Sequence, residues 1–524
     1  MERLLLSGNE AVARAAFNAS FVLGSGYPGT PATEILEALS DLGGKAEWAP
    51  NEKVALEVGF GVALGGGRAL VAMKHVGLNV AADPLFSAAY IGAPGALVIA
   101  VADDPGMVSS QNEQDTRRYA VAAGVPLLEP SDSQEAYDFL VSATEISERW
   151  GTPVLLRLTT RICHSKSVVT TRKLPPPKKP KFARNIEGRV MIPQNARPAH
   201  RRLRRRLESI LKWNETSPLN VVIGTGKKTG IISSGASAMH SQEACPDARI
   251  LKLGMPYPFP MKTINRFVKS VRRCTVIEEN DPVLYDAIRA AGIHVSGKPE
   301  MYRFGELNVS RIRRILAGNT TPEEVPPPTK SPELCYGCFY RTVFEVLRDL
   351  KCIAPGDIGC YTLGALPPFG SMDLCACMGA AIGAGLGLRH TLPPKEAKKV
   401  VSVIGDSTFI HGGITGLVEM VYNPPATGHV VLILDNGTTA MTGFQEHPGT
   451  GRDLSHKPAS RVVIEDLASA MGIRRVHVIN PGKDRKGFVK LLKECLASKE
   501  LCVIVARQLC LLAAKHIGNR KKRK

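Results

Sequence analysis

Nowhere in its 524 residues does the chain run apolar for the roughly 18 or more positions that a membrane-crossing helix needs. No basic-then-apolar leader with a small-residue cleavage site opens it, so a soluble, cytoplasmic protein is expected. Aromatic residues are scarce, at 6%, with only 3 tryptophans. Stacking platforms for nucleic-acid bases are therefore not expected, although the net charge of +19 invites them. The charge is also in the wrong place for a groove reader. Arg172 to Lys212 carries a net +12 and Lys515 to Lys524 six further cations with no acid, which leaves the remainder near neutral. Basicity confined to a linker and a tail suits a solvated segment or a dock for an acidic protein, not a nucleic acid. The 12 cysteines are scattered, many in apolar surroundings, which fits a reducing compartment and excludes a disulfide framework.

What is present suffices for several cores: 44% hydrophobic and 22% charged residues over a length of about three domains. Three α/β patterns can be followed. Residues 1–170 alternate strand and helix signals, with strands expected at Ala69–Met73, Ala96–Val101 and Pro153–Leu158. Residues 171–218 form a basic linker whose LPPPKKPK start (Leu174–Lys181) should be extended, followed by a helix around Arg202–Trp213. Residues 219–330 hold strands in TGIISSGAS, ARILKLG and CTVIEEND, and residues 331–514 a last α/β domain ahead of the 515–524 tail.

The strongest chemical signal lies in that last domain. Two short apolar runs, Lys399–Ile404 and His429–Leu434, look like buried parallel strands, each stopping at an acidic residue. A helix is expected between them, over Gly412–Tyr422. Asp406 and Asp435-Asn436 then stand at neighbouring carboxyl edges, where open α/β sheets bind ligands. A carboxylate, an amide oxygen and a backbone carbonyl are the donors that Mg²⁺ takes alongside substrate phosphates. Gly405, Gly412 and Gly413 would let the backbone approach a diphosphate closely. The whole pattern, GDS followed after 27 residues by DN, resembles the thiamine diphosphate motif, with Ser407 in place of its last glycine. That resemblance implies Asp406, Asn436 and the Thr438 carbonyl as Mg²⁺ ligands. It also implies Gly405, Ser407 and, at the start of the glycine-rich helix Met378–Leu388, Gly379 as neighbours of the cofactor.

Thiamine diphosphate also needs a carboxylate beside its aminopyrimidine, held in an apolar pocket. Glu52 suits that part. It opens a helix on which Val54, Ala55, Val58 and Val62 are expected to face the core. Two loops at strand ends, Met73–Asn79 with His75 and Asp103–Arg117, are where a substrate would be met.

YPGTPATEI, NEKVALE, MKHVGLNVAADP, VADDPGMVSSQNEQDTR and PVLLRLTTR together resemble the pyrimidine-binding domain of the 2-oxoacid:ferredoxin oxidoreductases, most of all the large subunit of the indolepyruvate type. The resemblance implies an α/β thiamine diphosphate-binding fold with two cofactor-binding domains and, from ILKLGMPYPFP and VIEENDP, a transketolase C-terminal-like domain. It implies Thr30 as a substrate contact, Glu52 as the pyrimidine-activating carboxylate and CoA as co-substrate; His75, read from its loop, is a candidate general acid/base or carbonyl-binding donor, or else a structural histidine. It further implies ferredoxin as acceptor, a smaller β subunit and an α2β2-type assembly. Pyruvate-type relatives read the substrate carboxylate with an arginine near Asp103–Ser109. None stands there, which leaves Arg117 or Lys74 as substitutes.

Cysteines bear on the electron route. Cys335 and Cys338 form a CxxC pair, Cys360 ends a strand signal and Cys510 follows the late strand Cys502–Ala506. Such thiolates suit zinc, a redox disulfide or an iron–sulfur cluster. β-Type subunits of the family hold a [4Fe–4S] cluster at matching places. The indolepyruvate type instead reads CPGCPHR here, from which Tyr336, Phe339 and Tyr340 depart. Where the family continues into a CxxCxxCxxxCP ferredoxin module, this chain reads KHIGNRKKRK. A non-oxidative aryl-2-oxoacid decarboxylase and a catalytically silent assembly subunit are the alternatives.

Overall fold

The computed structural model describes residues 2–172, 174–177, 179, 181–324 and 332–515. Two compact units divide the chain, Met1–Glu324 and Val325–Lys524. Both are α/β.

The first unit is built on a six-stranded parallel sheet. Its spatial order is Ala46–Trp48, Leu23–Gly26, Ala69–Lys74, Leu97–Asp103, Val154–Thr159 and Leu127–Leu128. The three longest strands are buried at every position, because helices cover both faces, and this is why they read as unbroken apolar runs. Helices start where capping residues dictate: Asn51 accepts from the Val54 amide to open Glu52–Leu64, and Asp132 from Glu135 to open Ser133–Trp150. On the Glu52 helix the buried residues are Ala55, Leu56, Gly59 and Ala63. Val58 is exposed and Val54 and Val62 are half-buried. Ala55 and the two partly buried valines pack on the core as expected, and small residues let the helix lie close on the sheet: a Cβ on Gly59 would meet Val71 at 2.5 Å.

A second, four-stranded sheet in the same unit runs Arg273–Ile277, Thr229–Ser233, Arg249–Leu253 and Asn220–Ile223, the last antiparallel. Two devices tie it to the first. The Pro193–Asn214 helix is longer than the sequence suggested. It buries Ala199, Leu203 and Ile210, and its Asn214 amide donates to the Met255 and Pro258 carbonyls at 2.9 and 2.8 Å. Arg157, fully buried, meets Asp103 at 2.7 Å, Glu129, and the Asn280 amide oxygen at 2.7 Å. Part of the basic segment is therefore structural. Its Leu174–Lys181 start has neither helix nor strand among its described residues, as expected, while Lys178 and Pro180 lie outside them. Residues 516–524 of the basic tail lie outside them too.

The second unit centres on a parallel sheet in the order Val401–Gly405, His429–Asp435, Leu501–Arg507 and Arg475–Ile479. No helix among the described residues is long and apolar enough to cross a membrane.

Candidate active site

In the second unit the two sequence-predicted acidic edges are adjacent. Gly405 pairs with Leu434 in register, so Asp406 and Asp435 leave neighbouring strands side by side. Asp406 begins a helical segment that widens into a π turn over Phe409–Gly413 before Ile414–Tyr422 continues as α-helix. Such widened turns recur at functional sites. The Gly437 amide donates to Asp406 Oδ2 at 2.9 Å and to Asp435 Oδ1 at 3.2 Å. His447 Nε2 lies 3.2 Å from the same Asp406 oxygen. The segment Gln445–Gly451, which reads QEHPGTG, thus packs on the predicted ligand, with Gln445 and His447 buried. Burial and the nearby Asp406 push the Asp435 carboxyl up, and Arg507, 2.6 Å away, draws it back.

Asn436 is held from several sides. Its Oδ1 accepts from the Thr438 amide at 3.0 Å, and its Nδ2 donates to the Tyr340 hydroxyl at 2.8 Å. Ser407 and Thr439 share a hydroxyl contact of 2.9 Å. Gly379 has φ +92°, and a Cβ there would stand 2.8 Å from the Gly412 backbone. Glycine is required at this crossing both by conformation and by space. Its amide donates to Asp357, whose buried carboxyl also accepts from Ile358 and Ala381 and is pushed up to about 6 by burial. Asp357 carries no motif of its own and went unread in the sequence.

Together these residues fit a metal–diphosphate group. Asp406, Asn436 and Thr438, all less than a tenth exposed, offer oxygen donors of the kind Mg²⁺ takes. A second carboxylate, Asp435, stands beside them, and Gly379 and Gly412 cross with their backbones in close contact, where a side chain on either would clash.

In the first unit, the predicted residues also share one sheet edge. Thr30 follows the strand Leu23–Gly26, Glu52 the strand Ala46–Trp48, and Lys74-His75 the strand Ala69–Lys74. Glu52 is 5% exposed, and a Cβ on Gly77 would meet its Cγ and Oε1 at 2.6 Å. His75 is buried, with Nε2 3.1 Å from the Asn112 carbonyl and no partner for Nδ1 among the described residues. Facing a carbonyl, Nε2 is the nitrogen that carries a hydrogen, and Nδ1 is the one that the Nε2–H tautomer offers as an acceptor. Of the two candidate carboxylate readers, Arg117 is already committed. It is buried against Asp115 and Glu278, each at 2.6 Å, and the Glu279 and Asp281 carbonyls. Lys74 is different. Its ammonium donates to the Ser109 carbonyl at 2.8 Å, burial brings it down to about 8, and Asp104 opposes that shift. Ser109 Oγ in turn reaches the Thr30 carbonyl at 3.5 Å.

The four singled-out cysteines also come together. Cys335, Cys338, Cys360 and Cys510 line one cavity of about 140 Å³, walled otherwise by apolar groups such as Leu334, Phe339, Leu363 and Leu509. Burial, and secondarily the neighbouring thiols, push Cys338 up to about 11; burial, followed by the other three thiols, does the same to Cys360. Among the described residues, no three His, Cys, Asp or Glu side chains are grouped as ligands of a single ion.

Comparison with known proteins agrees with this geometry. Residues 14–191 match the thiamine diphosphate-binding domain of pyruvate flavodoxin/ferredoxin oxidoreductases, and residues 357–506 the C-terminal TPP-binding domain of thiamine pyrophosphate enzymes. The indolepyruvate oxidoreductase subunit IorA of Archaeoglobus fulgidus is 40% identical, over 97% of this chain and 86% of that subunit. Its counterpart in Methanothermobacter thermautotrophicus is 38% identical over 99% and 88%. The chain belongs to this family. A solved 2-oxoglutarate:ferredoxin oxidoreductase from Magnetococcus marinus shares the fold at TM-score 0.50 and 17% identity, covering 60% of this chain and 65% of that one. This 2-oxoacid oxidoreductase subunit therefore carries thiamine diphosphate-binding domains in both units.

Proposed function

We propose that the chain is the large subunit of an enzyme that oxidatively decarboxylates aryl pyruvates of the indolepyruvate kind. The 2-oxoacid and CoA would give the acyl-CoA and CO₂, while two electrons pass through iron–sulfur centres to ferredoxin. The observation that carries this reading is the oxygen-donor set at adjoining strand ends, Asp406, Asn436 and Thr438, in a chain 40% identical to an indolepyruvate oxidoreductase subunit.

Asp406, Asn436 and the Thr438 carbonyl would hold Mg²⁺, and Gly405, Ser407 and Gly379 would admit the diphosphate. When bound, thiamine diphosphate supplies the carbon nucleophile for the keto group and a store for the electrons that CO₂ leaves behind. Glu52, braced by Gly77, is assigned the aminopyrimidine proton. Thr30 and His75 are assigned to the substrate side, with His75 Nδ1 as the proton acceptor. Lys74 is assigned the substrate carboxylate, because it is a desolvated cation that donates to the uncharged carbonyl and hydroxyl of Ser109. Cys335, Cys338, Cys360 and Cys510 are assigned a [4Fe–4S] cluster, and a smaller β subunit and ferredoxin are the expected partners.

Anaerobic purification with the partner subunit tests the cofactor assignments. The account expects extractable thiamine diphosphate and iron. Asp406→Ala should abolish the first, and Cys338→Ala should lower the second. A protein that retains neither cofactor would be the silent assembly subunit.

A further inference from the structure

Asn436 is the residue at which the metal site and the cysteine-lined cavity meet. Its side-chain oxygen belongs to the proposed Mg²⁺ set. Its backbone carbonyl accepts from the Cys510 amide at 2.9 Å, and its Nδ2 donates to the hydroxyl of Tyr340, two residues past Cys338. Tyr340 and Asn436 both line the cavity of the four cysteines. Tyr340 is 2% exposed and wedged edge-on between Phe339 and Tyr361, at centroid separations of 4.6 and 6.3 Å.

An amide side chain can present either its oxygen or its nitrogen to a cation, and only the oxygen is a ligand. Two contacts decide the matter here. The Thr438 amide claims one lone pair of Oδ1, and the Tyr340 hydroxyl, as acceptor, claims an Nδ2 hydrogen. We infer that Tyr340 is a positioning residue for Asn436: it fixes the amide with its oxygen toward the metal and, through the CxxC turn, joins that orientation to the cysteine cavity. This rests on the Mg²⁺ role proposed above for Asn436.

Ligand-orienting partners of this kind typically govern metal affinity by about 10- to 100-fold. The test is the Mg²⁺ concentration that half-saturates thiamine diphosphate binding. It is followed by quenching of intrinsic fluorescence in the full complex, beside iron content and melting temperature. Tyr340→Phe keeps the ring and removes the acceptor, and should raise the Mg²⁺ requirement about 10- to 100-fold. Tyr340→His restores an acceptor and should return the requirement toward wild type. A Phe variant within twofold of wild type, or a His variant as impaired as Phe, overturns the inference. Wild-type protein with no Mg²⁺-dependent cofactor binding would instead overturn the function proposed above.

Discussion

Gly77→Ala puts the assignment of Glu52 at risk without touching the carboxylate itself. An added Cβ would lie 2.6 Å from both Cγ and Oε1 of Glu52, where ordinary contact begins at 3.4 Å. The side chain must therefore retreat by about 0.8 Å, while overpacking of this size costs about 1–3 kcal/mol of stability. A displacement approaching 1 Å at a reacting group can cost about 100-fold in rate. The expectation is a folded, cofactor-retaining protein that turns over about 100-fold more slowly. Exchange of the thiazolium C2 proton of the bound cofactor into deuterated solvent, read by NMR after an acid quench, should slow in parallel. Gly61→Ala on the Glu52 helix is the control: a Cβ there meets nothing within 4 Å. That change should be silent in rate and neutral or mildly stabilising. If Gly77→Ala exchanges and turns over within threefold of wild type with cofactor bound, Glu52 is not the activating carboxylate.

Two further outcomes follow from the first unit. Lys74 is brought down to about 8 by burial, so its charge is complete below that pH and is lost above it. KM for the 2-oxoacid should then climb by up to about tenfold between pH 7 and 9. Lys74→Arg should flatten the climb and Lys74→Met should raise KM at every pH; unchanged profiles would remove Lys74 from the substrate carboxylate. Arg157→Met strands the Asp103 and Glu129 carboxylates in a site with no solvent exposure at the arginine. Uncompensated buried charges of this kind cost about 3–5 kcal/mol, so thermal unfolding should begin well below wild type. A melting curve within about 2 °C of wild type would show that this ion cluster is not what fastens the two sheets.

The parallel sheets were legible because their strands are buried on both faces and read as unbroken apolar runs. The paired acidic edge was legible because GDS and DN mark the ends of two strands that pair in register. Other features depend on side chains that meet far from each other in sequence. Arg117 reads as a free cation in DTR, yet a carboxylate 161 residues away closes over it. Asp357 carries no recognisable spacing and Tyr340 stands out only as a departure from CPGCPHR; their contacts emerge once Gly379 and Asn436 are folded against them. On the Glu52 helix Ala55 is in the core and Val54 and Val62 pack at its margin, while Val58 is exposed, because the closest approach to the sheet is taken by Ala and Gly. The four cysteines were named from scattered positions, and the fold brings all four to one cavity.

Oxidation of the substrate is the central claim, and one anaerobic assay bears on it most directly: indolepyruvate with the full complex, with and without CoA, and a viologen dye as acceptor. The account predicts CoA-dependent dye reduction, two electrons for each CO₂ released, with indoleacetyl-CoA as product. CO₂ and indoleacetaldehyde released without CoA-dependent dye reduction would contradict it and make the protein a non-oxidative decarboxylase.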